Sequence, residues 1–398
     1  MSAPFDTIVM GGGPGGATVA GLLAAAGLRV LVIEKESFPR FHIGESLLPR
    51  SLPVLERLGI DTRGPAFLYK GGAEFFDETT GDYALYRFAD ALPGVPDHAF
   101  QVERAGFDAV LLERAAALGA EVHQGERVTR VQIDDSVSVI ETDAGRYIAR
   151  FCIDATGQDA FFARRDRTTQ PIETFGRAAV FTHFTDLEGE AVDAIGPDGN
   201  IKVLMRSDGW GWLIPLPGRR MSVGTVARDG RVTPGLIEQA IQNSPLTLKL
   251  TRAARRLETR VIRNFSYTTS RSSGARYTSI GDAACFLDPV FSSGVTLAML
   301  SAEATAERLV PALSEGREAD PDLMSPVRRH MERSYDSMSS LIYAFYNTGL
   351  LRHLFFARRP DPELRAGLIS LLALDVWRDD NRFQDVLMRS RMRNSWPE

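Results

Sequence analysis

Thr7-Ile8-Val9-Met10-Gly11-Gly12-Gly13-Pro14-Gly15-Gly16 is the stretch that decides the fold. A short apolar run enters a turn of glycines, and an alanine-rich segment, Ala17 to Ala26, leaves it. Gly27 offers the left-handed residue that suits a helix C-terminus, and Leu28 to Ile33 is a second continuous apolar run. Apolar runs without alternation, joined through a helix, predict a βαβ unit whose parallel strands are buried on both faces. Gly11, Gly13 and Gly16 fall as G-x-G-x-x-G at the strand-to-helix turn, the context that gives this motif its meaning. Gly11 makes the tight turn, Gly13 lets the backbone approach a pyrophosphate, and Gly16 brings helix and strand together. The helix start presents free N–H groups and a positive dipole end to phosphate. Glu34 ends the second strand, about 20 residues on, where a carboxylate accepts ribose hydroxyls.

Outward from this unit the pattern changes. Around residues 67–100 aromatic and polar residues alternate (Phe75, Phe76, Tyr83, Tyr86, Phe88), with turns at Thr80-Gly81 and Pro93-Gly94, which predicts antiparallel strands. Phe107 to Leu118 reads as a helix, Val128 to Ile148 as a meander, and Ala149 to Asp154 as a strand running into Ala155-Thr156-Gly157. Residues 178–230 are strand-like and residues 233–255 helical. Tyr277 to Asp282 is a strand, Gly294 to Val310 a helix, and the tail from Met324 is helical and aromatic-rich. The expected class is α/β. A discontinuous dinucleotide domain (residues 1–66, 101–177 and 271–325) interleaves with an antiparallel-sheet substrate domain (67–100 and 178–270), and a helical C-terminal region (326–398) follows.

At 398 residues the chain is long enough for more than one packed unit. A net charge of −5 and a pI near 5.8 leave no electrostatic footprint for nucleic acid. Cys152 and Cys285 are the two cysteines, too few for a disulfide framework, and no Cys/His cluster has metal-ligand spacing, so no metal is expected. Asp6 stands where a signal peptide carries Lys or Arg, and glycine and proline interrupt the first apolar stretch too early for a spanning helix. A cytoplasmic enzyme that enters no membrane is the expectation.

Trp210-Gly211-Trp212-Leu213-Ile214-Pro215 holds two of the four tryptophans. On a strand, Trp210, Trp212 and Ile214 share one face. They would wall a cavity or simply fill a core, and Pro215 is expected to end the run by removing a donor. The hexapeptide resembles the W-x-W-x-I-P signature of flavin-dependent halogenases. Gly281-Asp282-Ala283 resembles the G-D-A motif of FAD-dependent aromatic hydroxylases and halogenases, and Asp154-Ala155-Thr156-Gly157 their D-[AG]-[ST]-G segment. Further matches are Gly44-Glu45-Ser46, Tyr69-Lys70-Gly71-Gly72-Ala73 and Asp288-Pro289-Val290-Phe291-Ser292-Ser293-Gly294-Val295. The similarity is dense over residues 5–110 and 150–300.

That resemblance implies a chemistry. FAD, as FADH2, would lie on Gly11, Gly13, Gly16 and Glu34, with Asp282 and Ala283 at the ribityl chain and Arg40, Gln101 and Arg104 against the cofactor. Reduced FAD, O2 and chloride or bromide would give hypohalous acid. Backbone N–H groups at Ser293 and Gly294, opening a helix at Val295, suit the halide. Lys70 would receive the hypohalous acid and polarise it or form a haloamine, a positioning effect, with burial lowering its pKa. Trp210, Trp212, Ile214 and Pro215 would form the conduit. One departure stands out: tryptophan halogenases place a glutamate immediately before this Ser-Thr-Gly turn, and here the neighbourhood reads Val290-Phe291-Ser292-Ser293. The implied substrate is therefore a phenol or pyrrole, free or tethered to a carrier protein, and the implied partner is a separate NAD(P)H-dependent flavin reductase. His42, His98 and His183 are the candidate bases, with none assigned. Competing expectations are a single-component aromatic hydroxylase that uses NAD(P)H itself and a non-catalytic FAD-binding protein. The apolar spacing of Ser339 to Phe355 predicts a packed helix, or a lid or docking face. Oligomeric state, arene and regiochemistry are not readable.

Overall fold

The computed structural model describes residues 4–393 except 173–174, 176–177, 208, 228–232, 234, 264–265 and 348–349, and omits the side chains of 347, 350–352 and 391–393. Parts of the predicted segments 178–230, 233–255 and 339–355, and the end of the tail, lie outside the described residues. The fold is α/β, with two large sheets and a helical C-terminal region.

The first sheet is the one the glycine turn announces. Phe5–Met10 lies at its centre, flanked in parallel by Val30–Glu34 on one side and Arg146–Asp154 on the other. Glu121–Gln124 and Tyr277–Ser279 extend it in parallel at the two ends. Ile8, Val9 and Met10 are fully buried, as a strand covered on both faces requires. Helix Pro14–Ala25 is buried nearly all round, because it is wedged between helices Arg104–Ala117 and Gly294–Ser314. Three glycine-rich positions of the turn thus serve a helix with no solvent face. The helix predicted from Phe107 begins earlier, at Arg104, and the strand predicted from Ala149 begins at Arg146.

The second sheet runs Arg255–Arg256, Ala178–Thr185, Arg220–Ala227, Gly209–Leu216, Ile201–Met205, Gly72–Asp77, Tyr83–Arg87, with Arg260–Arg263 also on Ala178–Thr185. Its pairs are antiparallel except that Ile201–Met205 and Gly72–Asp77 run in parallel. This parallel seam joins segments from distant parts of the chain, so no hairpin dictates the direction of return. Alternation on the Gly209–Leu216 strand holds: Trp210, Trp212 and Ile214 pack into the central core, while Leu213 packs into a separate cluster on the opposite face. Pro215 does not end the strand, which continues to Leu216. Pairing with Ile201–Met205 stops at Leu213, ahead of the proline, while pairing with Arg220–Ala227 persists to Leu216. The proline is accommodated where one neighbour has already ended.

Lys70 is carried on neither large sheet. Phe67–Lys70 pairs with Ala99–Val102 in a small antiparallel ribbon, Lys70 opposite Ala99. Cys152 and Cys285 are buried free thiols, and burial pushes each up to about 12, which disfavours the thiolate. Among the described residues no helix is long and apolar enough to cross a membrane, and no cluster of His, Cys, Asp and Glu could hold a metal.

Candidate active site

A cavity of about 560 Å³ runs between the two sheets. Gly11, Gly13, Pro14 and Gly15 line its middle, with Glu34, Glu126 and Val128 to one side. A Cβ on Gly11 would stand 2.3 Å from the Ala155 carbonyl, and one on Gly16 would stand 1.9 Å from the Gly11 carbonyl. A Cβ on Gly13 would meet only the Arg40 guanidinium, at 3.4 Å, so this turn is open toward the cavity. Gly11 and Gly16 thus serve packing, and Gly13 serves access. Glu34 is buried; its Oε2 accepts from Gly12 N at 2.7 Å and its Oε1 from Glu36 N at 2.9 Å, so it braces the turn it faces. Asp154 does the same for the neighbouring turn, accepting from Thr156 N and Oγ1 and from Phe162 N. An extended dinucleotide fits this cradle: bare backbone, a helix start and a strand-end carboxylate lie along one wall.

Arg40 and Arg104 also line the cavity and share Asp108, which takes a two-pronged bond from Arg104 at 2.7 and 2.9 Å and one from Arg40 at 3.0 Å. Gln101 does not reach the cavity lining; it is buried and donates to the Gly199 carbonyl. Asp282 lines the cavity, and burial raises its carboxyl to about 7. Ala283 is fully buried behind it.

Trp210, Trp212 and Ile214 line the far part, while Pro215 stands outside the lining. The indoles lie 5.7 Å apart at 44°. Gly224 makes room for them, because a Cβ there would stand 2.1 Å from the Trp212 ring. Each indole N–H is spoken for: Trp212 Nε1 donates to Ser222 Oγ at 3.1 Å and Trp210 Nε1 to Tyr346 Oη at 2.7 Å. Tyr346, on helix Ser325–Asn347, donates in turn to Asp288 Oδ2 at 3.0 Å. Tyr346 escaped the sequence reading because an indole partner 136 residues away leaves no local pattern.

Asp288 introduces the turn opposite. Its Oδ1 accepts from Val290 N at 3.0 Å, and Ser292 then adopts φ 57°, ψ 27°, followed by Ser293 at φ −78°, ψ −22°. Left-handed followed by right-handed backbone makes consecutive N–H groups converge, an anion-binding nest. Ser292 N is bonded to the Pro289 carbonyl, which leaves the amides of Ser293 and Gly294 at the start of a 21-residue helix. Helix Gly294–Ser314 starts at the predicted Gly294 and runs four residues past the predicted end at Val310. Ser292, Gly294 and Val295 line the main cavity, and Ser293 lines a small recess beside it.

Lys70 lies just behind the wall. Its Nζ donates to Ser46 Oγ at 2.9 Å and to the Leu47 carbonyl at 2.8 Å, and Ser46 itself lines the cavity. The side chain is 1% exposed with the Phe88 ring 5.3 Å from Nζ, and burial lowers its pKa to about 7. Of the candidate bases, His42 lines the cavity with its pKa down to about 4, through burial and then Arg104. His98 lies elsewhere, bonded to Asp97 and stacked on Tyr69. His183 is buried, and its Nε2 pairs with Glu45 Oε1 at 2.6 Å. Glu45 lines the cavity beside Ser46. The Gly44-Glu45-Ser46 motif was visible; its partner, 138 residues on, was not.

With this geometry stand the comparisons. The family described as tryptophan halogenase matches residues 6–95 and 90–358. A 1H-pyrrole-2-carbonyl-(peptidyl-carrier protein) chlorinase of Pseudomonas fluorescens is 29% identical, covering 94% of this chain and 90% of its own. A crystal structure described as a flavoprotein/dehydrogenase from Cytophaga hutchinsonii superposes with a TM-score of 0.87 at 30% identity over 96% of each chain. The myxobacterial chondrochloren halogenase, an FAD-dependent enzyme by its description, superposes with a TM-score of 0.76 at 27% identity over 97% of each chain.

Proposed function

This chain belongs to the tryptophan-halogenase family and is an FAD-dependent halogenase, and from that premise we propose that it halogenates a pyrrole or phenol carried on a carrier protein. Bound as FADH2, the cofactor with O2 and chloride or bromide supplies hypohalous acid. The amides of Ser293 and Gly294 hold the halide. Trp210, Trp212 and Ile214 form the passage that keeps the arene from stacking on the flavin. Lys70 anchors hypohalous acid and raises its electrophilicity, using a fixed position rather than binding strength.

The observation that carries this reading is the buried Lys70 amine, one serine behind the cavity wall and poised between charged and neutral at about pH 7. An electron-rich ring supplies its own activation, which suits a turn with Phe291 where tryptophan-type enzymes have glutamate. The carrier-dependent chlorinase supports a tethered pyrrole. Electrons come from a separate NAD(P)H-dependent flavin reductase in the cytoplasm.

The test supplies purified protein with FAD, a flavin reductase, NADH and bromide or chloride. Carrier-tethered pyrrole, free phenols and free tryptophan are offered, and halogen isotope patterns are read by mass spectrometry. Halogenated carrier-bound pyrrole is the expected product. Equal turnover of free tryptophan overturns the substrate assignment, and brisk arene-stimulated NADH oxidation without reductase overturns the two-component reading.

A further inference from the structure

The net reaction converts reduced FAD, O2, a halide ion, one proton and the arene C–H into oxidised FAD, the aryl halide and two water molecules. It balances only with one proton drawn from outside the cavity in each turnover. The wall through which that proton would pass is largely apolar, built from Trp210, Trp212, Ile214, Phe181 and Ala179 on one side. A buried titratable pair interrupts it. Glu45 lines the cavity and is 2% exposed, and its Oε1 meets His183 Nε2 at 2.6 Å. Its other oxygen, Oε2, is buried and has no hydrogen-bond partner among the described residues. An orphaned carboxylate oxygen is costly to bury, so its retention beside the cavity calls for a role. His183 is the more exposed member of the pair. Its side chain is 8% exposed, and it packs edge-on against Phe41, itself 42% exposed.

We propose that Glu45 and His183 form the proton inlet of the cavity: His183 takes a proton at the solvent side, passes it through Nε2 to Glu45 Oε1, and the carboxyl delivers it to the cavity. This inference rests on the halogenase reading above. The proton enters at Nδ1 and leaves along the existing Nε2–Oε1 hydrogen bond, and the ring, left with its hydrogen on Nδ1, is reset when a ring turn or exchange with water returns a hydrogen to Nε2. Charged groups around it are Lys70 through Ser46 Oγ, Arg104 through the carbonyls of Ile43 and Gly44, and Arg260 over the Phe41 ring. Arg104 and Arg260 are cations and do not accept the proton that the inlet carries; Lys70, whose pKa burial lowers to about 7, hydrogen-bonds Ser46 Oγ and the Leu47 carbonyl rather than either member of the pair. His42, which lines the cavity, is held between the Ile43 carbonyl and Arg104. Asp282 also lines the cavity, and among the described residues no second titratable group is hydrogen-bonded to its carboxyl.

The experiment compares the parent with His183→Gln, which keeps a donor for Glu45 and cannot shuttle, and His183→Ala, which opens the site to added imidazole. FAD affinity and melting temperature establish that each variant is folded and loaded. In the oxidised holoenzyme, without turnover, ¹⁵N-histidine NMR follows the His183 ring, whose shared-proton signal is expected to vanish in Glu45→Gln. With reductase, NADH and bromide, His183→Gln is expected to form hypohalous acid about a hundredfold more slowly. Imidazole is expected to restore His183→Ala at least about tenfold. A His183→Gln variant at the parental rate overturns the inlet, as does a slow His183→Ala that ignores imidazole. A parent that releases no hypohalous acid to a chemical trap overturns the halogenase reading instead.

Discussion

The two ends of the cavity are built by opposite means. At the nucleotide end the working surface is backbone from one short stretch, Gly11 to Gly16, and it works because side chains are missing. At the halogen end the working groups are side chains from distant strands and helices: Lys70 on Ser46, Trp210 on Tyr346, Glu45 on His183. Adding atoms ruins the first end, and removing them ruins the second. On the function proposed above, the nucleotide end would govern whether the protein is loaded, and the halogen end what a loaded protein does.

The largest effect should fall on one end alone. Lys70→Ala is expected to lose halogenated product about a thousandfold, the scale of removing a preorganised polar group from a dry site, while FAD binding measured by equilibrium dialysis stays parental. Loss of FAD along with product would show that the ends are not separable. The converse is Gly16→Ala. Its Cβ would stand 1.9 Å from the Gly11 carbonyl, so helix and strand must part. A loss of about 3 kcal/mol in unfolding free energy is expected from such overpacking, together with weakened FAD binding, read by denaturant titration and flavin fluorescence.

A subtler effect is electrical. Burial lowers Lys70 to about 7 in the folded protein, whereas the unfolded chain holds an ordinary lysine near 10.4. Between those values the unfolded state binds the extra proton, so stability rises with pH there, by about 1.4 kcal/mol per pH unit. Below about pH 7 the burial penalty is present in full. Parent and Lys70→Met are compared by denaturation from pH 7 to 10, and the parent is expected to gain on the variant over that range. Parallel curves would mean that the amine is more hydrated than its position implies. Smallest is Tyr346→Phe, which strips one hydroxyl from between Trp210 and Asp288. A cost of about 1 kcal/mol from the unpaired indole N–H is expected in the denaturation midpoint, with FAD binding unchanged.

The same contrast explains what could be read in advance. The βαβ unit, the glycine roles, the shared face of Trp210, Trp212 and Ile214, and the helix start at Gly294 are all local, so sequence spacing carries them. Lys70 was legible through the small residues after it. A Cβ at Gly72 would stand 2.0 Å from the Tyr86 carbonyl, so that glycine follows from the packing of the adjoining strand. The parallel seam between Gly72–Asp77 and Ile201–Met205, the continuation of the strand past Pro215, and the pairs Glu45–His183 and Trp210–Tyr346 depend on contacts between remote segments. Such contacts leave no periodicity on either partner. The candidate histidines were visible as residue types, but only packing separates His183, paired and buried, from His98, stacked on a surface tyrosine.

Counting valences at Lys70 draws out a last consequence. A neutral amine has two N–H bonds, and the protein offers it two acceptors, Ser46 Oγ and the Leu47 carbonyl. Its remaining tetrahedral direction is then a lone pair. Add a proton and the same nitrogen, on the same two anchors, presents an N–H in that direction. Burial lowers its pKa to about 7, which brings both forms within reach of physiological pH. In the role proposed for it, Lys70 would offer an oncoming hypohalous acid either an electron pair or a hydrogen without moving a heavy atom, and the choice between haloamine and hydrogen-bonded acid would pass from the architecture to the bulk pH.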